Sequence, residues 1–148
     1  MQSLTLNLAL AEAIVDGAIA EARRRSYLPL GVAVLDAGGH VVVIKREDGA
    51  SLFRTDIAFA KAKGALGMGF SSRELAKRSA AQPLFYTALF AMSGGEMAPS
   101  PGGVLIRGED GAILGAVGAS GDVGDSDEAA VMAGITAAGL YFDAPPSA

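Results

Sequence analysis

GGVLIRGEDGAILGAVGASGDVGDSDEAAVMAGITAAG, residues 102–139, reads as strand, tight turn, strand, glycine-rich loop and helix. Val104, Leu105 and Ile106 favour extended backbone and run into Glu109-Asp110-Gly111, and Asp-Gly between apolar runs is a strong hairpin signal. Ile113 to Ala119 is the return strand, where Gly115 and Gly118 leave room for a close backbone approach. Ser120-Gly121-Asp122-Val123-Gly124 then leads into a helix. Asp125 is placed to cap its first turn, with Glu128 reaching back to complete a capping box. Val131, Ile135 and Ala138 fall at i, i+4 and i+7 and give that helix a core-facing stripe, which Gly139 ends.

Upstream, Gly31 to Val43 (GVAVLDAGGHVVV) repeats the plan of Gly103 to Val117 (GVLIRGEDGAILGAV): strand, Asp/Gly turn, strand, each followed by a helix. Leu30–Leu35 and Val41–Ile44 are the first two strands, joined by Asp36-Ala37-Gly38-Gly39 with His40 at the turn. Two such hairpins can form one antiparallel sheet with helices covering its faces. Before them, Thr5 or Asn7 can cap a helix running to about Arg25, with Leu10, Ala11, Ile14, Ala18 and Ala22 as its apolar stripe. Between the hairpins, a helix from Phe53 to Leu66 has a nearly bare Ala58, Ala62, Ala65 side, with Lys61 and Lys63 pointing elsewhere. The capping box Ser71-x-x-Glu74 opens a short helix to about Ser79, and Pro83 fits the first turn of another carrying Leu84, Phe85, Leu89 and Phe90.

The 148 residues fit one domain, residues 1–148, with room for a sizeable core. A net charge of −4 argues against sequence-independent binding to nucleic acid or anionic membranes. The absence of cysteine excludes disulfides, thiolate catalysis and thiolate metal sites. Mean hydropathy of +0.37 is high for a soluble monomer, yet no apolar run is long enough to span a bilayer. A buried interface in a homo-oligomer, at least a dimer, accounts for that surplus. Glu12 and Asp16 fall early and no basic region precedes them, so a signal peptide is not expected and the cytoplasm is the default.

Several chemistries can be weighed. The sole histidine, His40, excludes sites needing two imidazoles from one chain, and no G-x-S-x-G elbow supports a nucleophilic serine. The acidic run Asp122, Asp125, Asp127, Glu128 fails as a calcium loop: counting from Asp122, position six is Asp127 instead of glycine and position twelve is Ala133 instead of glutamate. Gly115, Gly118 and Gly121 run through an antiparallel strand, whereas a dinucleotide fingerprint needs a parallel βαβ turn. Arg23-Arg24-Arg25 read as a solvated helix end before an anion site. What is left is an anion-holding arrangement of backbone amides at Ser120–Gly124 and the helix start. Arg46, Lys61, Arg73 and Arg78 supply positive charge from elsewhere in the chain.

VAVLDAGGHVVVIKREDGA, the alanine-rich helix, and PGGVLIRGEDGAILGAVGASGDVGDSDEAAVMAG together resemble the GlcG/HbpS family, also known as the haem-degrading domain family, which includes the C-terminal domain of PduO-type proteins. The most specific parts are Asp36-x-Gly38-Gly39, Arg46-x-Asp48-Gly49-Ala50, Gly102-Gly103-Val104 and Gly118-x-Ser120-Gly121 leading to Asp127-Glu128. The resemblance covers nearly the whole chain. It implies an α+β, profilin-like antiparallel sheet flanked by helices, a three-layer α/β/α arrangement, and homo-oligomers. The fold implies a fifth strand, for which no segment stands out. Some members of that family bind haem or corrinoid-related tetrapyrroles, and others sit with catabolic enzymes for glycolate or aromatic compounds.

Two functions of different class follow. The first is a cytoplasmic small-molecule-binding accessory protein of a catabolic or cofactor pathway, its anionic or hydroxylated ligand held by Arg46, Asp48, Lys61, Ser120 and Gly121. The second is an enzyme acting on a small organic acid, with Asp122 or Glu128 as general base and Arg46 or Lys61 stabilising the developing anion. Haem or corrinoid binding or degradation ranks third because His40 is the only imidazole; Tyr27, Tyr86, Tyr141 or a methionine are the other iron ligands the chain offers.

Overall fold

In the computed structural model, which describes residues 4–143, the elements run α1 (Leu8–Arg24), β1 (Gly31–Asp36), β2 (Val41–Arg46), α2 (Arg54–Met68), α3 (Ser72–Ala81), α4 (Pro83–Met92), β3 (Gly103–Arg107), β4 (Ile113–Ser120) and α5 (Gly124–Ala137). The two hairpins lie side by side in one antiparallel sheet of order β2-β1-β4-β3. The central pairing of β1 with β4 sets Gly31 opposite Ser120 at one end and Asp36 opposite Gly115 at the other. Four strands complete the sheet among the described residues. In place of a fifth, Tyr141 forms an isolated bridge with Arg107 at the β3 edge.

Alternation along the strands sorts side chains to two faces. Val32, Val34, Val104, Ile106, Val117 and Ala119 join Ile14, Val15, Ala18, Val131 and Ile135 in a core under α1 and α5. Leu35, Leu105 and Ala116 meet Ala62 and Ala65 of α2 on the other face. The result is an α+β, three-layer α/β/α fold. No described helix is long and apolar enough to cross a membrane.

The α2 layer sits unusually close to the sheet because the residues between them are nearly bare. A Cβ at Gly118 would lie 2.0 Å from the Ala58 carbonyl oxygen, and one at Gly103 would lie 2.3 Å from that of Lys61. The alanine stripe therefore does what its composition implies, but Lys61 does not point elsewhere. It lies three residues after Ala58, on the same helical face, and is buried.

Two local expectations fare differently. Asn7 caps α1 by accepting from the Leu10 amide, and Ser71 caps α3 by accepting from Glu74. The α5 capping box is not formed. Val123 occupies the N-cap without a side-chain bond, because Asp125 and Glu128 are drawn off to an arginine of α3.

Candidate functional site

A layer of polar side chains is buried where the C-terminal end of β4 meets α2, α3 and α5. Lys61 and Asp127 are 2% and 1% exposed, and their Nζ and Oδ2 stand 3.1 Å apart. Lys61 Nζ also donates to the Ala119 carbonyl at 3.0 Å, and Asp127 Oδ1 accepts from the Asp122 amide at 2.9 Å. Burial pushes the Lys61 ammonium down from its ordinary 10.5 and the Asp127 carboxyl up from 3.8, while their mutual attraction works against both shifts.

Around this pair the layer is closed by further bonds. Arg54 donates to Ser120 Oγ at 3.1 Å. Ser72 Oγ accepts from the Gly103 amide at 2.7 Å, fixing the start of β3 to α3. Arg73 Nε donates to both carboxylate oxygens of buried Glu128 at 3.1 Å and its guanidinium also pairs with Asp125, which raises the Arg73 pKa. Among the described residues no buried side-chain nitrogen or oxygen lacks a partner.

Asp122 faces outward from this layer. Its Oδ2 accepts from the Leu28 amide and its Oδ1 from the Val123 amide, both at 2.7 Å. Those two donors, Leu28 first, hold its carboxyl below the ordinary 3.8. Two amides of the Ser120–Gly124 loop are thus occupied by carboxylates of the same chain. Gly121 owes its presence to space and not to backbone sign: a Cβ there would lie 2.1 Å from the Pro29 carbonyl oxygen.

The structure splits the residues singled out from the sequence into two groups, with Asp122 between them. Lys61, Ser120, Gly121 and Glu128 belong to the buried layer and its border. Arg46 and Asp48 line a separate open cleft of about 450 Å³ with Arg23, Pro29 and Glu47. The segment 28–30 separates the two, gripped by Asp122 at the Leu28 amide and by Glu47 at the Leu30 amide. Arg54 and Ser72 escaped the sequence reading, and no pattern in the chain marks either. Lys61 and Asp127 as partners were within reach of it, since Lys61 falls on the buried stripe of α2 by spacing alone.

Two further clefts open on the surface. One, of about 360 Å³, lies between α2 and the segment before β3, lined by Phe53, Asp56, Ile57, Ala60, Met97 and Ala98 among others. The other, of about 330 Å³, lies at the opposite end of the sheet, where Leu4 to Leu6, the β1–β2 turn with His40, and the start of β4 meet.

Residues 6–136 match the family model described as haem degrading protein HbpS-like. Among solved structures, the fold resembles the PduOC:heme complex (TM-score 0.83, 25% identity, covering 93% of this chain and 98% of that one). It also resembles a double mutant of Streptomyces reticuli HbpS (TM-score 0.76, 30% identity, covering 92% and 88%). Klebsiella pneumoniae protein ORFY shares the fold at 24% identity (TM-score 0.81, covering 94% of each chain). No curated protein matches the chain in sequence.

Proposed function

The chain belongs to the HbpS-like family of haem-degrading proteins, and from that premise we propose that it is a cytoplasmic, homo-oligomeric binding protein for a carboxylate-bearing tetrapyrrole of the haem type. The observation that carries binding over acid–base catalysis is the engagement of its carboxylates. Asp122 holds two backbone amides, Asp127 holds Lys61 and an amide, and Glu128 holds Arg73 through both oxygens. A general base needs a lone pair aimed at a substrate proton, with space for the substrate beside it. These carboxylates are committed to holding the fold, and the three clefts described above are lined by other residues.

Support for the ligand class comes from the PduOC:heme complex, whose chain aligns with almost all of this one. The apolar clefts at the two ends of the molecule suit a flat, largely apolar ring, and a ring with peripheral carboxylates leaves them in water. Support for self-association comes from α4, which exposes Leu84 at 87%, Phe85 at 53% and Met92 at 73%.

Titrating ferric haem into the protein while following the Soret band tests the reading. A saturable Soret shift that survives in Asp122→Asn and Glu128→Gln is the expected result. No shift at micromolar haem, together with turnover of a small organic acid that both substitutions abolish, would replace it with the enzyme.

A further inference from the structure

The turn that joins β1 to β2 is built around one carboxylate. Asp36 Oδ1 accepts the backbone amides of Gly38 and His40, each at 3.0 Å, and lies 3.3 Å from His40 Nδ1. The ring lies across Gly38: a Cβ at that position would meet the Cε1 and Nδ1 atoms of His40 at 2.9 Å. Gly38 thus serves as a seat for the imidazole, and any larger residue would displace it. The imidazole side chain is 80% exposed, and its Nε2 has no hydrogen-bond partner among the described residues.

We propose that His40, through Nε2, is the axial ligand by which this chain holds the iron of a haem-type tetrapyrrole in the cleft formed by Leu4, Leu6, Ile113, Leu114 and the β1–β2 turn. The inference rests on the tetrapyrrole reading above and gives it a place and a ligand.

The donor chemistry fits. A carboxylate beside Nδ1 keeps the ring proton on that nitrogen and leaves the lone pair on Nε2, the arrangement that orients and strengthens histidine as a metal ligand. The Gly38 and His40 amides, each bonded to Asp36 Oδ1 at 3.0 Å, fix that carboxylate in place beside the ring. The surroundings fit as well. Leu4, Leu6, Ile113 and Leu114 supply an apolar wall to a cleft of about 330 Å³, and Leu4 and Ile113 are exposed in the chain alone. The cleft is open, so it covers part of one ring face and leaves the peripheral carboxylates in water.

Of the other iron ligands the chain offers, Tyr86 is buried, Met97 lines the separate cleft beside Phe53, and among the described residues no tyrosine or methionine lines the cleft that holds His40. The bland alternative is that Asp36 and His40 only complete a turn, and the experiment separates the two.

Ferric haem and iron-free protoporphyrin IX are each titrated into the wild type, His40→Ala, Asp36→Asn and Met97→Leu, with absorption and electron paramagnetic resonance as readouts. The expected result is a histidine-ligated spectrum in the wild type and in Met97→Leu. In His40→Ala it is lost, haem affinity falls about tenfold or more, and added imidazole restores the spectrum. Protoporphyrin IX binds wild type and His40→Ala alike, since the apolar wall is intact. Asp36→Asn acts through His40 and keeps the histidine spectrum with about 10–100-fold weaker haem affinity. Haem-free His40→Ala melts with the wild type, because the side chain it removes is exposed. Haem binding to wild type with an identical spectrum in His40→Ala overturns this inference and leaves the binding function standing. No haem binding to wild type overturns both.

Discussion

Lys61 of α2 and Asp127 of α5 form an ion pair at 3.1 Å beside the Ala119 carbonyl, although their helices cover opposite faces of the sheet. The pair fastens the two outer layers at the end of β4. Taking two charges out of water costs several kcal/mol per ion, and close pairing with supporting hydrogen bonds offsets that cost without making the pair a large net source of stability. Here Lys61 has the Ala119 carbonyl and Asp127 the Asp122 amide, so each charge has a second partner.

Removing one partner leaves the other charge buried with no counter-ion and only a backbone group to bond. Lys61→Met or Asp127→Leu alone is expected to destabilise by about 3–5 kcal/mol, whereas the double replacement is expected to fall much closer to wild type. Urea unfolding of the four proteins checks this. Additive losses in the double variant would show that each side chain matters for packing and that the pair itself is incidental.

How much of this was legible in the chain depends on whether the decisive interaction is local. Helix and strand positions followed from periodicity and punctuation, so α1, both hairpins and α4 stand within a few residues of where the pattern puts them. The repeated hairpin plan also foretold a single sheet. The α5 cap failed because Arg73, 52 residues away from Asp125, offers a charged donor that a local amide does not match. The site residues scattered for the same reason. Arg46 and Lys61 are both cations near glycines in sequence, but one ends an edge strand while the other is sealed under β4, and only the packing of α2 on Gly103 and Gly118 decides that.

Gly121→Val is expected to cost about 1–3 kcal/mol through overpacking. Its cause is contact with the Pro29 carbonyl, whose oxygen a new Cβ would approach to 2.1 Å. Because segment 28–30 must move to make room, the Leu28–Asp122 and Leu30–Glu47 bonds are expected to loosen with it. Amide exchange at Leu28 and Leu30 measures that. Unchanged melting and unchanged protection at both amides would show that the glycine is dispensable.

Asp122 gives a pH dependence of known sign. Its folded pKa lies below the unfolded value near 3.8, so the unfolded chain binds the proton more readily. Its contribution to stability is therefore present above that value and is lost as pH falls through the folded pKa. Asp36 acts in the same direction. The urea midpoint of the wild type is expected to drop on acidification below pH 3.8, and Asp122→Asn to flatten that drop. Parallel acid limbs in the two proteins would exclude Asp122 as a contributor.

The last prediction concerns α4, whose ten residues include no charge. Leu84, Phe85, Ala88 and Met92 recur at helical spacing on one side, while Tyr86 turns inward, so the helix presents its apolar side to water. A second copy of the chain is the expected occupant of this face, in line with the positive mean hydropathy. Light scattering at micromolar concentration is expected to return a multiple of 14.9 kDa. Phe85→Lys places a charge in the middle of the face without entering the core, and losing a hot-spot aromatic at the centre of an interface costs about 2 kcal/mol or more. The variant should therefore dissociate at concentrations where the wild type does not, with far-UV circular dichroism unchanged. A wild-type mass of 14.9 kDa removes the oligomer altogether. An assembled wild type whose mass Phe85→Lys leaves intact moves the interface off α4, to the exposed Leu52 and Phe53 at the entry to α2.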